Sequence, residues 1–159
     1  MTRVASPAMK AGDAVADFEL PDETGTPRKL SEFLSRGPVV LFFYPAALTY
    51  GCTRESCHFR DLKAEFEAVG AQRIGISADP VEKQREFSDK HRFDYPLLSD
   101  PDRRVASMFG VKRGVSFLPN KRATFVIDTD STVLAAINSE VNMNAHADRA
   151  LDVLSRRPA

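Results

Sequence analysis

The two cysteines of this 159-residue chain are its best candidates for chemistry. Cys52 follows the apolar run at residues 39–44 across a turn, so it falls in the first turn of a helix that we predict over residues 53–69. Unpaired amides and the positive end of the helix dipole favour a thiolate there. Ligands of α/β sheets also bind beyond the carboxyl ends of strands. We therefore predict a reactive thiol; the alternative is a small buried apolar residue.

The second cysteine, Cys57, lies five residues after Cys52. Five residues of an intact helix span roughly 7–8 Å along its axis and turn the two side chains well apart. Because a disulfide requires Cα atoms within about 7 Å, the pair cannot bond while the helix is intact. Two interpretations stay open at this point: the cysteines are unrelated, or their chemistry requires the start of the helix to unwind.

Composition excludes several classes of function. Lys plus Arg and Asp plus Glu both number 22, and this zero net charge argues against a nucleic-acid partner. No apolar run approaches the ~20 residues that span a bilayer, and the N-terminus lacks the apolar core of a signal peptide. We therefore expect a cytoplasmic protein with no membrane partner. In a reducing compartment, cysteines are more often catalytic, redox-active or metal-binding than structural.

Strand-like and helix-like segments alternate along the chain. Continuous apolar runs predict buried strands, and apolar residues at spacings of three and four predict helices. We predict strands over residues 39–44, 73–77, 95–100, 123–128 and 132–138, and helices over residues 53–69, 79–92, 103–109 and 145–156. Near the N-terminus, a hairpin is predicted from residues 15–20 and 27–30, followed by a short helix over residues 32–35 that Ser31 caps.

This order of elements is typical of an α/β domain with a mixed central sheet flanked by helices and an N-terminal hairpin extension. Residues 1–11 are expected to form a flexible tail, and residues 12–159 a single domain. The least regular stretch, residues 111–121, is expected to be a loop.

The residues around Cys52 resemble the active site of a known enzyme family. Pro45, Thr49 and Cys52 match the pattern Pro-x-x-x-Thr-x-x-Cys of the peroxiredoxins. The Gly-Cys-Thr core with a second cysteine at plus five is similar to the peroxiredoxin Q branch, also called bacterioferritin comigratory protein. Residues 122–128 resemble the Arg-x-Thr-Phe strand of the family. The resemblance covers residues 12–154 and implies a thioredoxin-like fold and thiol peroxidase activity.

The resemblance implies a role for each residue of the pattern. Cys52 would be the nucleophile that attacks the peroxide, and Cys57 would resolve the oxidised product. The hydroxyl of Thr49 would hold both thiolate and peroxide, because it can donate and accept hydrogen bonds. Arg122 would favour the thiolate and stabilise charge developing on the peroxide oxygens. Pro45 would fix the turn and wall the pocket against water.

Four further residues are expected to support the pocket: Glu55, Tyr50, Gly51 and Phe43. Glu55 stands where the family often has a Glu or Gln that orients the arginine, although the helix dipole alone also favours an exposed Glu there. Tyr50 departs from the family, which usually has Pro before the Gly-Cys pair. It restores an amide donor and adds a bulky ring at the pocket mouth. Phe43 is expected in the core or the pocket wall.

The implied catalytic cycle needs no cofactor and no metal. Cys52 attacks the O–O bond of hydrogen peroxide or an organic hydroperoxide and becomes a sulfenic acid. The helix start unwinds, Cys57 condenses with the sulfenic acid, and a thioredoxin-type reductant reduces the disulfide. The implied role is antioxidant defence and redox homeostasis. Because a disulfide within one chain requires no partner subunit, we expect a monomer.

Three other functions compete with this interpretation. A thioredoxin-like reductase would require a Cys-x-x-Cys motif, which the sequence lacks. A metal site could use Cys52, Cys57 and His58, but zinc sites usually have a fourth ligand and a tighter Cys spacing. A non-catalytic redox sensor on the same fold would differ by failing to consume peroxide steadily. The remaining histidines, His91 and His146, lie among charged residues and are expected to be solvated.

Overall fold

The computed structural model describes residues 8–112, 120–139 and 141–157. Its strands and helices follow the predicted alternation along the chain. In chain order they are β1 (Glu19–Pro21), β2 (Pro27–Lys29), α1 (Leu30–Leu34), β3 (Val39–Phe43), α2 (Tyr50–Asp61), α3 (Lys63–Ala68), β4 (Gln72–Ser77), α4 (Val81–His91), β5 (Leu97–Ser99), α5 (Arg104–Met108), β6 (Ala123–Ile127), β7 (Val133–Asn138) and α6 (Ala145–Ser155).

A mixed sheet with the strand order β5-β4-β3-β6-β7 lies at the centre of the described chain. Strands β3, β4 and β5 are parallel, whereas β6 runs antiparallel to β3 and β7 antiparallel to β6. All five residues of β3 are buried, which accounts for an apolar run without alternation. The predicted α/β domain with a mixed sheet is confirmed.

Alternate side chains of β3 enter two different hydrophobic clusters, because successive side chains of a strand point to opposite faces of a sheet. Leu41 and Phe43 belong to one cluster, whereas Phe42 belongs to the other together with Cys52. The ring of Phe42 stacks on that of Phe59 in α2, with centroids 4.1 Å apart. This contact fixes α2, and with it Cys52, against one face of the sheet.

The N-terminal hairpin is confirmed, since β1 pairs antiparallel with β2. The predicted cap at Ser31 is wrong: α1 begins at Leu30, and Lys29 occupies the cap position. The Ser31 hydroxyl instead donates to the Asp17 carboxylate at 2.8 Å, and the Ser31 amide donates to the same group. The Ser31 hydroxyl therefore binds the carboxylate of Asp17, fourteen residues earlier, instead of capping the helix.

The predicted helix over residues 53–69 is two helices, α2 and α3, which meet at Leu62 (φ −96°, ψ 23°). Arg73 donates to the carbonyl of Phe59 at 2.8 Å, and an unbroken helix would pair that carbonyl with the amide of residue 63. Gly70 ends the pair in a left-handed conformation (φ 71°), as predicted. The break leaves α2 as a separate twelve-residue helix that carries both cysteines.

Two predicted segments lie partly outside the described residues: the tail, of which residues 1–7 are not described, and the loop over residues 111–121. At the described end of the tail, the amide of Met9 donates to the carbonyl of Phe109 at 3.0 Å. The ends of the loop meet in an isolated bridge between Lys112 and Asn120. Among the described residues, no helix is long and apolar enough to cross a bilayer.

Candidate active site

Cys52 lies in the first turn of α2, where the sequence predicted it, and only 1% of its surface is exposed. The loop from β3 to this turn is tethered to the neighbouring strand β4. The amide of Ala47 donates to the Asp79 carboxylate at 2.7 Å, and Ser77, the last residue of β4, donates to the same oxygen at 2.6 Å. The tether helps to hold Leu48 in a left-handed conformation (φ 66°), which is unfavourable for a residue with a Cβ.

Arg122 approaches Cys52 from the β6 side of β3, along the edge opposite to the one that pairs with β4. It immediately precedes β6, whose first residue pairs with Phe43, the last residue of β3. One guanidinium nitrogen, Nη2, donates to Cys52 Sγ at 3.3 Å, and the other, Nη1, donates to Glu55 Oε1 at 2.8 Å. Burial alone would lower the pKa of Arg122, but the negative charges of Glu55 and Cys52 outweigh it and raise the pKa. The site therefore holds a permanent, buried positive charge beside the sulfur.

Glu55 is fully buried, so the alternative of an exposed glutamate explained by the helix dipole alone is wrong. Its Oε1 accepts the hydrogen bond from Arg122, and its Oε2 lies 3.6 Å from His146 Nδ1. The burial of an ionisable carboxyl requires such partners, because an uncompensated charge is costly in the protein interior.

The prediction that His146 is solvated is also wrong, because this side chain is fully buried. His146 Nδ1 lies 2.8 Å from Thr124 Oγ1, and Nε2 lies 2.8 Å from the carbonyl oxygen of Ser139. The helical periodicity of α6 could have predicted this burial. His146 precedes the buried residues Ala150 and Leu154 by four and eight positions, so all three share the inner face of α6.

The residues just before Cys52 lie closer to the surface than Cys52 itself. Thr49 occupies the cap position of α2, and its exposed hydroxyl donates to the carbonyl of Ala46 at 2.7 Å. Pro45, at the start of the turn, is half-buried. Tyr50 is 82% exposed, so most of its ring is in contact with solvent.

Gly51 allows Arg122 and Met143 to lie close to the helix start. A Cβ at Gly51 would lie 3.2 Å from Arg122 Nη2 and 3.5 Å from Met143 Sδ. A side chain there would therefore press on the guanidinium that binds Cys52. Sequence reasoning missed Met143, and its local sequence carries no signal for this contact.

Phe43 does not line the pocket with Cys52. Its ring is fully buried in the opposite cluster, with centroids 5.2 Å from Phe109 and 5.9 Å from Phe125. The prediction that Phe43 supports the site is therefore wrong. Because side chains alternate along β3, Phe43 points to the face of the sheet opposite to Cys52. Its role is core packing.

Cys57 and Cys52 are both free thiols on α2. Cys57 is half-buried; burial raises the pKa of its thiol, and the nearby Arg60 opposes that rise. His58 Nε2 lies 2.8 Å from the Asp148 carboxylate on α6. Within the described ranges, no group of three or more His, Cys, Asp or Glu side chains is arranged to hold a metal ion.

Comparison with known proteins identifies the family of this chain. The model of the AhpC/TSA family matches residues 11–136. The chain belongs to the AhpC/TSA family. A putative peroxiredoxin of Mycobacterium tuberculosis is 66% identical over 148 residues, which are 92% of this chain and 96% of that protein. The chloroplastic peroxiredoxin Q of Sedum lineare is 36% identical over 143 residues, which are 90% of this chain and 76% of that protein.

Solved structures similar to this chain include members of the peroxiredoxin Q branch. The crystal structure of peroxidoxin BcpB from Mycobacterium tuberculosis has a TM-score of 0.92 and 63% identity, and covers 95% of this chain and 99% of that chain. A peroxiredoxin Q structure from Xanthomonas campestris has a TM-score of 0.79 and 32% identity, and covers 87% of this chain and 89% of that chain. The thioredoxin-like fold and the peroxiredoxin Q branch are confirmed. The protein is a peroxidase, an oxidoreductase that reduces peroxides.

Proposed function

We propose that the protein reduces hydrogen peroxide and organic hydroperoxides through Cys52 and completes each turnover through a Cys52–Cys57 disulfide. The observation that carries this proposal is the 3.3 Å hydrogen bond from Arg122 Nη2 to Cys52 Sγ in a buried site. A guanidinium beside a sulfur at a helix start favours the thiolate, which is the form that attacks peroxide.

In the first step, the Cys52 thiolate attacks one peroxide oxygen and the O–O bond breaks. The sulfur is oxidised to a sulfenic acid, and the peroxide is reduced to water or an alcohol, which takes up the proton that the thiol released. Arg122 stabilises the charge that develops on the leaving oxygen. The Thr49 hydroxyl donates to Ala46, so its oxygen lone pairs are free to accept the peroxide O–H.

Glu55 and Pro45 support this step without taking part in bond making. The short ion pair between Glu55 and Arg122 holds one end of the guanidinium, so the other end faces the sulfur. Pro45 narrows the pocket at the start of the turn and limits the entry of water. Gly51 leaves room for the guanidinium.

In the second step, Cys57 condenses with the Cys52 sulfenic acid, forming the S–S bond and releasing water. The sulfenic acid forms on Cys52, whose side chain is buried at the start of an intact helix, and Cys57 lies five residues further along the same helix. The start of α2 therefore unwinds before the sulfurs meet. A thioredoxin-type reductant then exchanges with the disulfide and restores both thiols.

We also propose that the enzyme acts as a monomer in the cytoplasm. The two cysteines of the cycle lie on one helix of one chain, so a second subunit has no required place in it. A reducing compartment would supply the dithiol reductant.

The test is a pair of cysteine variants assayed for peroxide consumption with a thioredoxin system. We expect Cys52→Ser to abolish peroxide reduction. Cys57→Ser is expected to retain one fast turnover and then to stall until a small thiol is added. Wild-type turnover by Cys52→Ser would refute the assignment of the nucleophile. A wild-type protein that reacts once and never turns over would instead favour a redox sensor.

A further inference from the structure

We propose that His146 is a positioning residue of this site: it restrains Glu55, and Glu55 in turn orients Arg122 towards Cys52. The inference deepens the proposed function and rests on it. His146 belongs to α6, more than ninety residues from Cys52 in the sequence, and it lies outside the family motif on which the site was recognised.

The imidazole of His146 is held at both ring nitrogens. Ser139 offers a carbonyl oxygen, which only accepts hydrogen bonds, so Nε2 carries a hydrogen and donates it at 2.8 Å. The other nitrogen, Nδ1, lies 2.8 Å from Thr124 Oγ1. Since the Thr124 hydroxyl can either donate or accept, this arrangement holds the ring in one orientation whether it is neutral or charged.

The same Nδ1 lies 3.6 Å from Glu55 Oε2, a close packing contact that is too long for a hydrogen bond. The two oxygens of Glu55 therefore have different neighbours, because Oε1 accepts from Arg122 Nη1 at 2.8 Å. A carboxylate with an ion pair at one oxygen and a buried ring packed near the other has little freedom to rotate. Its fixed orientation holds Arg122 Nη1, which leaves Nη2 directed at Cys52 Sγ.

The fold brings these groups together from separate elements. Glu55 and Cys52 lie on α2, Arg122 and Thr124 are two residues apart at β6 and so face the same side of the sheet, and His146 lies on α6. A displacement of His146 would therefore pass through Glu55 to the guanidinium. Positioning errors of this kind slow a reaction even when every reacting group is present.

Two substitutions separate positioning from simple packing. His146→Asn keeps a polar atom near the place of Nδ1, which faces Glu55 and Thr124, and loses the donor to Ser139. His146→Gln keeps a donor near the place of Nε2 and loses the atom that faces Glu55. Both remove a buried ring, so both are expected to lower thermal stability. His91→Gln is the matched control, because His91 packs against Phe87 and Phe93 outside the site.

The experiment measures the second-order rate constant for oxidation of Cys52 by hydrogen peroxide, its alkylation by iodoacetamide, and the unfolding temperature. We expect His146→Gln to slow the peroxide reaction on the order of 10-fold and alkylation much less when both are measured at a pH where Cys52 is fully ionised, since alkylation then requires the thiolate but not a correctly aimed guanidinium. His146→Asn should retain most of the peroxide rate, and His91→Gln all of it.

Equal peroxide rates for the wild type and His146→Gln would overturn the role of His146. A slowing that is the same for Asn and Gln, and the same for peroxide and iodoacetamide, would also overturn it, because that pattern indicates general damage to the fold. A wild-type protein that does not reduce peroxide through Cys52 would overturn the proposed function itself. The wild-type measurement therefore separates the two failures.

Discussion

Tyr95 donates its phenol hydrogen to the carbonyl of Ser56, in the middle of α2, at 2.6 Å. Burial raises the pKa of the Tyr95 phenol well above its ordinary value, so the group stays protonated and remains a donor. The peptide bond that follows this carbonyl leads to Cys57. Because Cys57 must reorient to reach Cys52, we expect the Tyr95 hydrogen bond to break when the disulfide forms.

The substitution Tyr95→Phe removes this hydrogen bond and retains the ring. The ring contacts with Phe93 (centroids 5.2 Å apart) and Phe42 (5.7 Å) are preserved. A single hydrogen bond contributes about 0.5–1.5 kcal/mol to the folded state. If α2 opens through Ser56, that loss favours the open helix by about 2- to 12-fold. Disulfide formation should accelerate by the same factor when the helix opens and closes rapidly before the two sulfurs react.

The assay is a single turnover with one equivalent of hydrogen peroxide. Samples are quenched with acid, alkylated and analysed by mass spectrometry, which follows the conversion of the sulfenic acid to the disulfide. Tyr44→Phe is the matched control: the Tyr44 hydroxyl is buried and donates to Gln84 on α4, not to α2. It should lower the free energy of unfolding similarly but leave the rate of disulfide formation unchanged.

Two results would refute this reasoning. If Tyr95→Phe lowers the free energy of unfolding but leaves disulfide formation at the wild-type rate, the opening of α2 does not reach Ser56. If Tyr44→Phe accelerates disulfide formation as much as Tyr95→Phe does, the effect reflects global destabilisation rather than the opening of one helix.

Two further predictions concern residues of the same helix. Tyr50→Pro should fold normally and gain about 0.4–1 kcal/mol in unfolding free energy, since Tyr50 is the first residue of α2 and Thr49 before it is already extended (ψ 157°). Chemical denaturation measures the free energy of unfolding. As a control, Arg54→Pro, inside the helix, should lower that free energy by about 3 kcal/mol. In Cys52→Ser, alkylation of Cys57 should rise with pH to a midpoint above the free-thiol value of about 8.5, because burial disfavours the thiolate and raises the pKa of Cys57. A midpoint at or below that free value would contradict this prediction.

Local patterns in the sequence were sufficient for most of the elements and for the position of Cys52 at a helix start. The unbroken apolar run at residues 39–44 predicts a strand buried on both faces, and β3 is buried throughout. The position of Cys52 after that run predicts a thiol in the first turn of a helix, as observed. Both inferences succeed because strand burial patterns and the turn that joins a strand to a helix are set by a few neighbouring residues.

The partners of the buried charges could not be predicted in this way. Local sequence predicts Glu55 to be an exposed residue of a first helical turn. Its burial depends on the ion pair with Arg122, which is 67 residues away in the sequence. From the sequence, His146 is expected to be solvated because Asn144, Asp148 and Arg149 lie within three residues of it. In space, however, its neighbours are Thr124 and Glu55. Burial of such groups depends on compensating partners, and these come from other elements.

The sequence by itself determined where along the chain the two thiols lie: one at a helix start, and the second five residues later. Tertiary structure alone decided how the first thiol is held. It directed the Arg122 guanidinium at Cys52 and turned Phe43 away to the opposite face of the sheet. The physical reason is distance along the chain: a short-range pattern fixes local conformation, but contacts between α2, β6 and α6 exist only after the sheet has assembled.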